Sequence, residues 1–147
     1  MNLITQEDFE EIRQMRKEFT NCYEPLVLGS PHTKWSKEIV APDYKEMFIL
    51  DYYRGKIEIK YTYNKRYRKS TVILRFDSFG RHTNPGPNFE KFDGPHVHIF
   101  KEGYDDKFAY PIEVLNITPT ENDQEVLEKI CTYFNITARP SIQLSML

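Results

Sequence analysis

The spacing of apolar side chains along the chain starts helical, turns to alternation, and becomes helical again. Residues 5 to 20 place Phe9, Ile12, Met15 or Arg16, and Phe19 on one face at helical spacing. Thr5 stands as N-cap before acidic first-turn residues, with Ile4 and Phe9 at the staple positions around it. Residues 21 to 44 read as irregular, broken by Pro25, Gly29, Pro31 and Pro42, with a short strand at 26–28. His32 and Trp35 fall there, and neither has a neighbour that gives it a role.

From Lys45 the period is two. A strand over 45–53, the Arg54-Gly55 turn and a returning strand over 56–63 make a hairpin. Ile57, Ile59, Tyr61 and Tyr63 share one face, and Glu58, Lys60 and Thr62 the other. The basic stretch 64–69 is a second turn. A third strand over 70–79 puts Val72, Leu74 and Phe76 on one face and Ile73, Arg75 and Asp77 on the other. A loop rich in Gly, Pro and Asn over 80–95 precedes a fourth strand at 96–100. A fifth strand is expected at 108–114, after a turn at Gly103-Tyr104-Asp105-Asp106. Thr120 caps a second helix over 121–134 with a stripe of Val126, Leu127, Ile130, Tyr133 and Phe134. Ile142, Leu144 and Met146 alternate as a closing strand on the sheet. The expected fold class is α+β, an antiparallel β-meander with an N-terminal and a C-terminal helix packed on it, in one domain spanning 1–147.

The 147 residues, 39% hydrophobic and 14% aromatic, suffice for a sizeable core and argue against disorder. The longest apolar run is the four residues Met47 to Leu50, so no membrane span is expected, and no signal peptide is visible. Cys22 and Cys131 match no metal or redox spacing, which fits a cytoplasmic protein with reduced thiols. The net charge of −2 conceals a segregation. Between Arg54 and His82 nine Lys and Arg face only Glu58 and Asp77, a local +7, while the remaining residues sum to −9. A positive segment in an acidic chain suits an anionic partner such as RNA, with Lys60, Lys65, Arg66, Arg68, Lys69 and Arg81 as the contacting cations. The plainer alternative is a hairpin whose solvated face is basic. Tyrosines interleaved with these cations suit base stacking and suit half-buried strands equally.

Three of the four histidines, His82, His96 and His98, fall within 17 residues. His96 and His98 stand at i and i+2 of a strand and project side by side, roughly 7 Å apart. Arg75 and Asp77 share a face by the same rule. If the two strands are neighbours, the long loop carrying His82 joins both pairs. One reading makes His96 and His98 an acid/base pair for metal-free phosphodiester cleavage, with Arg75 or Arg81 stabilising charge. A second makes them metal ligands with Asp77 or His82 as third. A third has the histidines merely pinning the loop. The H-x-H-x3-E fragment of cupin sites is present at 96–102, yet no later histidine follows, so that family is rejected. Of the two chemical readings, acid/base chemistry ranks ahead of metal binding, the loop-pinning alternative stays open beside both, and no metal or other cofactor is expected.

The stretch from Leu74-Arg75-Phe76-Asp77 through His82-x-Asn84-Pro85 and Gly94-Pro95-His96-Val97-His98 to Glu102-Gly103-Tyr104-Asp105-Asp106-Lys107 resembles a family of small uncharacterised proteins of Gram-positive bacteria, phages and other mobile elements. The layout of Asp77, His82, His96 and His98 also resembles TumE-like toxins of toxin–antitoxin operons, and departs from them in the N-terminal helix and the C-terminal helix and strand. These resemblances imply a mobile-element accessory protein that acts on RNA or a ribonucleoprotein, with a His-dependent ribonuclease as its enzymatic form. The alternative is a non-enzymatic inhibitor that binds a bacterial defence protein, in the manner of an anti-CRISPR. A homodimer is compatible with either.

Overall fold

The computed structural model describes residues 4–29, 32–63 and 69–144. Helix α1 is Gln6–Gln14, followed by strands β1 (Lys17–Phe19), β2 (Leu26–Leu28), β3 (Lys34–Ala41), β4 (Glu46–Tyr53), β5 (Lys56–Tyr63) and β6 (Lys69–Asp77). Next come β7 (Arg81–Thr83), β8 (Lys91–Asp93), β9 (His96–Ile99) and β10 (Ala109–Tyr110), then α2 (Asp123–Tyr133), β11 (Ile136–Ala138) and β12 (Ile142–Leu144). Among the described residues, eight strands form one sheet in the order β10-β9-β6-β5-β4-β3-β1-β11. All neighbours in it are antiparallel except the parallel pair β1 and β11. The α+β class is thus as expected. The basic turn with Lys65, Arg66 and Arg68 lies outside the described residues, as does Met146.

Several elements differ from expectation, each for a local reason. The first helix ends at Gln14, because Met15 is extended and Lys17 starts a strand whose N–H donates to the Asn135 carbonyl at 2.9 Å. Residues 34–41 form an eight-residue strand, since Pro31 and Pro42 bracket this segment rather than interrupt it. The 80–95 loop contains the β7–β8 hairpin, closed by Gly80 and Gly94, both at positive φ and joined by a 2.9 Å backbone hydrogen bond. The fifth strand is cut to Ala109–Tyr110 by Pro111, after which Ile112–Leu115 forms a 3-10 turn. The second helix is capped by Asn122 rather than Thr120, in a reciprocal capping box with Glu125. The closing strand β12 pairs in parallel with β2, outside the main sheet, and β11 takes the main sheet's edge instead.

The third strand carries the most consequential difference. Ile59 pairs with Leu74 and Lys60 with Val72, so Ile73 is the extra residue of a β-bulge. Ile73 and Leu74 are both buried, and the alternation restarts with Phe76 inward and Arg75 and Asp77 outward. The inner face of the sheet, including Phe48, Leu50, Tyr52, Ile57, Ile59, Leu74 and Phe76, joins Phe9 and Ile12 of α1 and Val126, Leu127, Ile130 and Phe134 at α2 in one buried cluster. Phe9 stacks on Phe100 at 5.4 Å and meets Phe134 edge-on at 6.1 Å. No helix among the described residues is long and apolar enough to cross a membrane.

The two helices end at one buried cation. Lys17, 1% exposed, donates from Nζ to the carbonyls of Arg13, Met15 and Phe134 at 3.0, 2.9 and 2.7 Å. Those are unpaired carbonyls at the C-terminal ends of both helices, where a positive charge is favoured. Burial and the nearby Arg13 guanidinium still pull its pKa from 10.5 to about 7. The unfolded chain therefore binds more protons between pH 7 and 10.5, and this lysine's penalty on the fold relaxes as pH rises through that window. Urea unfolding at pH 7 and pH 9 should show the wild type gaining up to about 2 kcal/mol relative to Lys17→Met. Equal pH dependence in the two proteins would show that Lys17 stays charged throughout.

Candidate functional site

With the bulge setting its parity, the outer face of the sheet carries two rows of polar side chains, each running through directly opposite positions on five strands. One row is Ser36, Asp51, Glu58, Arg75 and His98. The other is Lys34, Tyr53, Lys56, Asp77 and His96. Members of the two rows alternate along each strand at i and i+2, so both rows face the same side. Antiparallel β6 and β9 bring together the two pairs that the sequence placed on separate strands: Arg75 lies opposite His98, and Asp77 opposite His96.

Backbone carbonyls fix the ring orientation of both strand histidines. His98 Nδ1 lies 2.8 Å from the Asp106 carbonyl and His96 Nδ1 2.8 Å from the Gly94 carbonyl. A carbonyl only accepts, so each Nδ1 carries the proton and each neutral ring keeps its lone pair on Nε2. The two Nε2 atoms lie 3.6 Å (His96) and 3.7 Å (His98) from Asp77 Oδ2. Arg75 donates from Nε to Asp77 Oδ2 at 3.1 Å, from Nη2 to His98 Nε2 at 3.0 Å and from Nη1 to Asp106 Oδ2 at 2.9 Å. Burial, then the Arg75 charge, pull the His98 pKa from 6.5 down to about 4, against the opposing Asp106 carbonyl. His98 is neutral at pH 7 and buried, while Asp77 and Arg75 remain partly open to solvent.

The β7–β8 hairpin brings His82 over this cluster. Its ring lies 4.5 Å from that of His98 and 6.0 Å from that of His96, and its Nε2 donates to the Lys107 carbonyl at 2.9 Å. Asn84, 2% exposed, anchors the hairpin: its side chain donates to the Ala109 carbonyl at 3.0 Å and accepts from the Ala109 N–H at 2.7 Å. This two-way clasp prolongs the edge of β10 as a further backbone strand would.

All five residues expected to carry chemistry, Arg75, Asp77, His82, His96 and His98, thus meet in one place. The expected nucleic-acid contacts do not join them as a set. Lys60 is held by Asp51 at 3.1 Å and Glu58 at 3.6 Å, and the Asp51 hydrogen bond raises its pKa. Arg81 is exposed and lies 3.8 Å from Asp93. Lys69 is placed as the first residue of β6, and Lys65, Arg66 and Arg68 fall outside the described residues. Sequence reasoning missed the other end of the polar rows, where Lys34, Trp35, Ser36, Asp51, Tyr53 and Lys56 line much of an open groove of about 440 Å³. Trp35 stacks on Tyr52 at 5.3 Å and donates from Nε1 to the Val27 carbonyl at 2.8 Å. It also missed Asp106. The turn reading of that stretch is right, with Lys101 bridged to Asp105, and the turn delivers both the Asp106 carbonyl to His98 and its carboxylate to Arg75.

Removing the Asn84 clasp leaves a buried peptide group without partners, at a cost of about 2 kcal/mol. Asn84→Ala is expected to unfold earlier in urea by that amount, with faster amide exchange in β7, β8 and β10 and unchanged protection in β4 and β5. Uniformly faster exchange through the whole sheet would contradict a local anchoring role.

No curated protein and no solved structure matches the chain. A family match runs from residue 4 to residue 136, taking in the histidine cluster, the hairpin over it and both polar rows. On that match the chain belongs to the family of unknown function DUF6978.

Proposed function

We propose that the protein acts on RNA, alone or in a ribonucleoprotein, and cleaves its phosphodiester backbone at the Asp77–His96–His98 cluster. The observation that carries this reading is the continuity of the outer face. The cluster, with a guanidinium beside it, stands at one end of the row whose other members are Lys56, Tyr53 and Lys34. Five strands at about 4.8 Å spacing give the row a length of roughly 19 Å, enough for several nucleotides. Lys34 and Lys56 suit phosphates and Tyr53, exposed on the same face, offers an aromatic face for a base, the combination that single-stranded nucleic acid calls for. Arg75 is the charge that stabilises a phosphorane-like transition state. The resemblance of Asp77, His82, His96 and His98 to a TumE-like layout, and of the surrounding stretch to small proteins of mobile elements and phages, supports a toxin-like ribonuclease. The rival is a non-enzymatic inhibitor of a bacterial defence protein, to which the acidic remainder of the chain lends itself.

Purified protein incubated with a mixed labelled RNA pool tests the reading, in buffers with Mn2+ and with EDTA. Cleavage by the wild type and a loss of about 100-fold or more in His96→Ala are expected. Lys34→Glu combined with Lys56→Glu should weaken RNA binding and lower its salt dependence by about two counterions. Intact and unbound RNA in every condition would overturn the reading in favour of the protein-binding inhibitor.

A further inference from the structure

We propose that Asp77, His96 and His98 form a binding site for one divalent first-row transition metal, and that Arg75 competes with the metal for it. The inference concerns the cluster to which RNA cleavage was assigned, and it depends on no particular substrate.

Four features of the cluster carry the assignment. First, both histidines are held as Nδ1–H tautomers by the carbonyls of Gly94 and Asp106, the outer support that metal-bound histidines usually have. Second, the lone pairs left on Nε2 lie 3.6 and 3.7 Å from Asp77 Oδ2, and all three ligand atoms lie within 4.8 Å of one another. Ligands bound at about 2.0–2.2 Å around a tetrahedral ion stand about 3.3–3.6 Å apart, so a small closure completes the set. Third, two imidazole nitrogens and one carboxylate suit zinc, iron, manganese or cobalt better than calcium or magnesium, and three protein ligands leave further positions open. Asp77 faces the groove side, where those positions would take water or a phosphoryl oxygen.

The fourth feature is Arg75. Its Nη2 and Nε now engage His98 Nε2 and Asp77 Oδ2, two of the three atoms that would bind the metal. A guanidinium keeps its proton in a protein, so metal and Arg75 exclude each other at those atoms. Asp106, which accepts from Nη1 at 2.9 Å, retains the displaced side chain. Arg75 then moves from neutralising Asp77 to standing beside the open metal positions. The contrasting arrangement is a permanent ion-pair network in which Arg75 is the only cation the cluster ever holds, and the two make opposite predictions for removal of the arginine.

Titration of untagged full-length protein with Co2+, read by visible absorbance, separates them. The wild type should bind one Co2+, Asp77→Asn and His96→Gln should bind at least tenfold more weakly, and Arg75→Gln at least tenfold more tightly. Cys22→Ser, which removes the exposed thiol, should leave the titration unchanged. Absence of saturable binding in both the wild type and Arg75→Gln would overturn the proposal, as would binding indifferent to Asp77→Asn. Should a ligand variant fail to fold by circular dichroism, the comparison of wild type with Arg75→Gln still decides. Co2+ binding in the expected pattern by a protein that leaves RNA intact would sustain the metal site and overturn the RNA reading.

Discussion

Ile73 is inserted as one extra residue into the third strand of the meander, and the outer face depends on that insertion. Upstream of it, Thr71 pairs with Tyr61 on the core side; downstream, Leu74 and Phe76 take the core positions. With strict alternation from Thr71, residues 73, 75 and 77 would all point inward, burying a guanidinium and a carboxylate among Phe48, Ile57 and Ile59. Desolvating those charges would cost several kcal/mol each. The bulge avoids this by spending one residue, Ile73, whose side chain is fully buried and whose carbonyl still accepts from the Phe100 N–H at 3.0 Å. Core and site are therefore specified by the same irregularity.

The inner face gives that outer face its rigidity. Two helices and eight strands share one buried cluster, and the helix C-termini converge on Lys17, whose three carbonyl partners come from both helix ends. Asn135 extends the junction, accepting from the Lys17 N–H and donating from Nδ2 to the Gln14 carbonyl at 2.8 Å. The cluster itself sits where β6 and β9 pair on one side and the β7–β8 hairpin and the Asp106 turn close over the other. Its histidine orientations are set by backbone carbonyls, which are less free to move than side-chain partners would be. Side chains held in this way are suited to binding a ligand with little loss of conformational entropy.

Period-two alternation sufficed to locate the hairpin of residues 45–63, and i, i+2 spacing sufficed to pair Arg75 with Asp77 and His96 with His98. Their meeting required only that the two strands be neighbours, which they are. Alternation could not reveal the bulge, because Val72, Ile73 and Leu74 are equally apolar and equally fit for either face. The prolines of residues 21–44 suggest irregular chain throughout, yet Pro31 and Pro42 both fall outside the strand at Lys34–Ala41 in sequence. Lys17 falls inside the helix expected over residues 5–20, whereas the helix ends at Gln14 and Lys17 opens β1. The Asp106 and Asn84 contacts are legible only in space, since their partners lie 31 and 25 residues away. The groove end of the polar rows escaped notice because Lys34 and Trp35 lay in a segment read as irregular.

The most direct test of the outer-face cluster as a working site is an anomalous difference map from crystals grown with Mn2+ or Zn2+. A single peak about 2.0–2.2 Å from His96 Nε2, His98 Nε2 and an Asp77 oxygen, with Arg75 turned onto Asp106, is the predicted result. A map without that peak, in which Arg75 still bridges His98 and Asp77, would contradict the account.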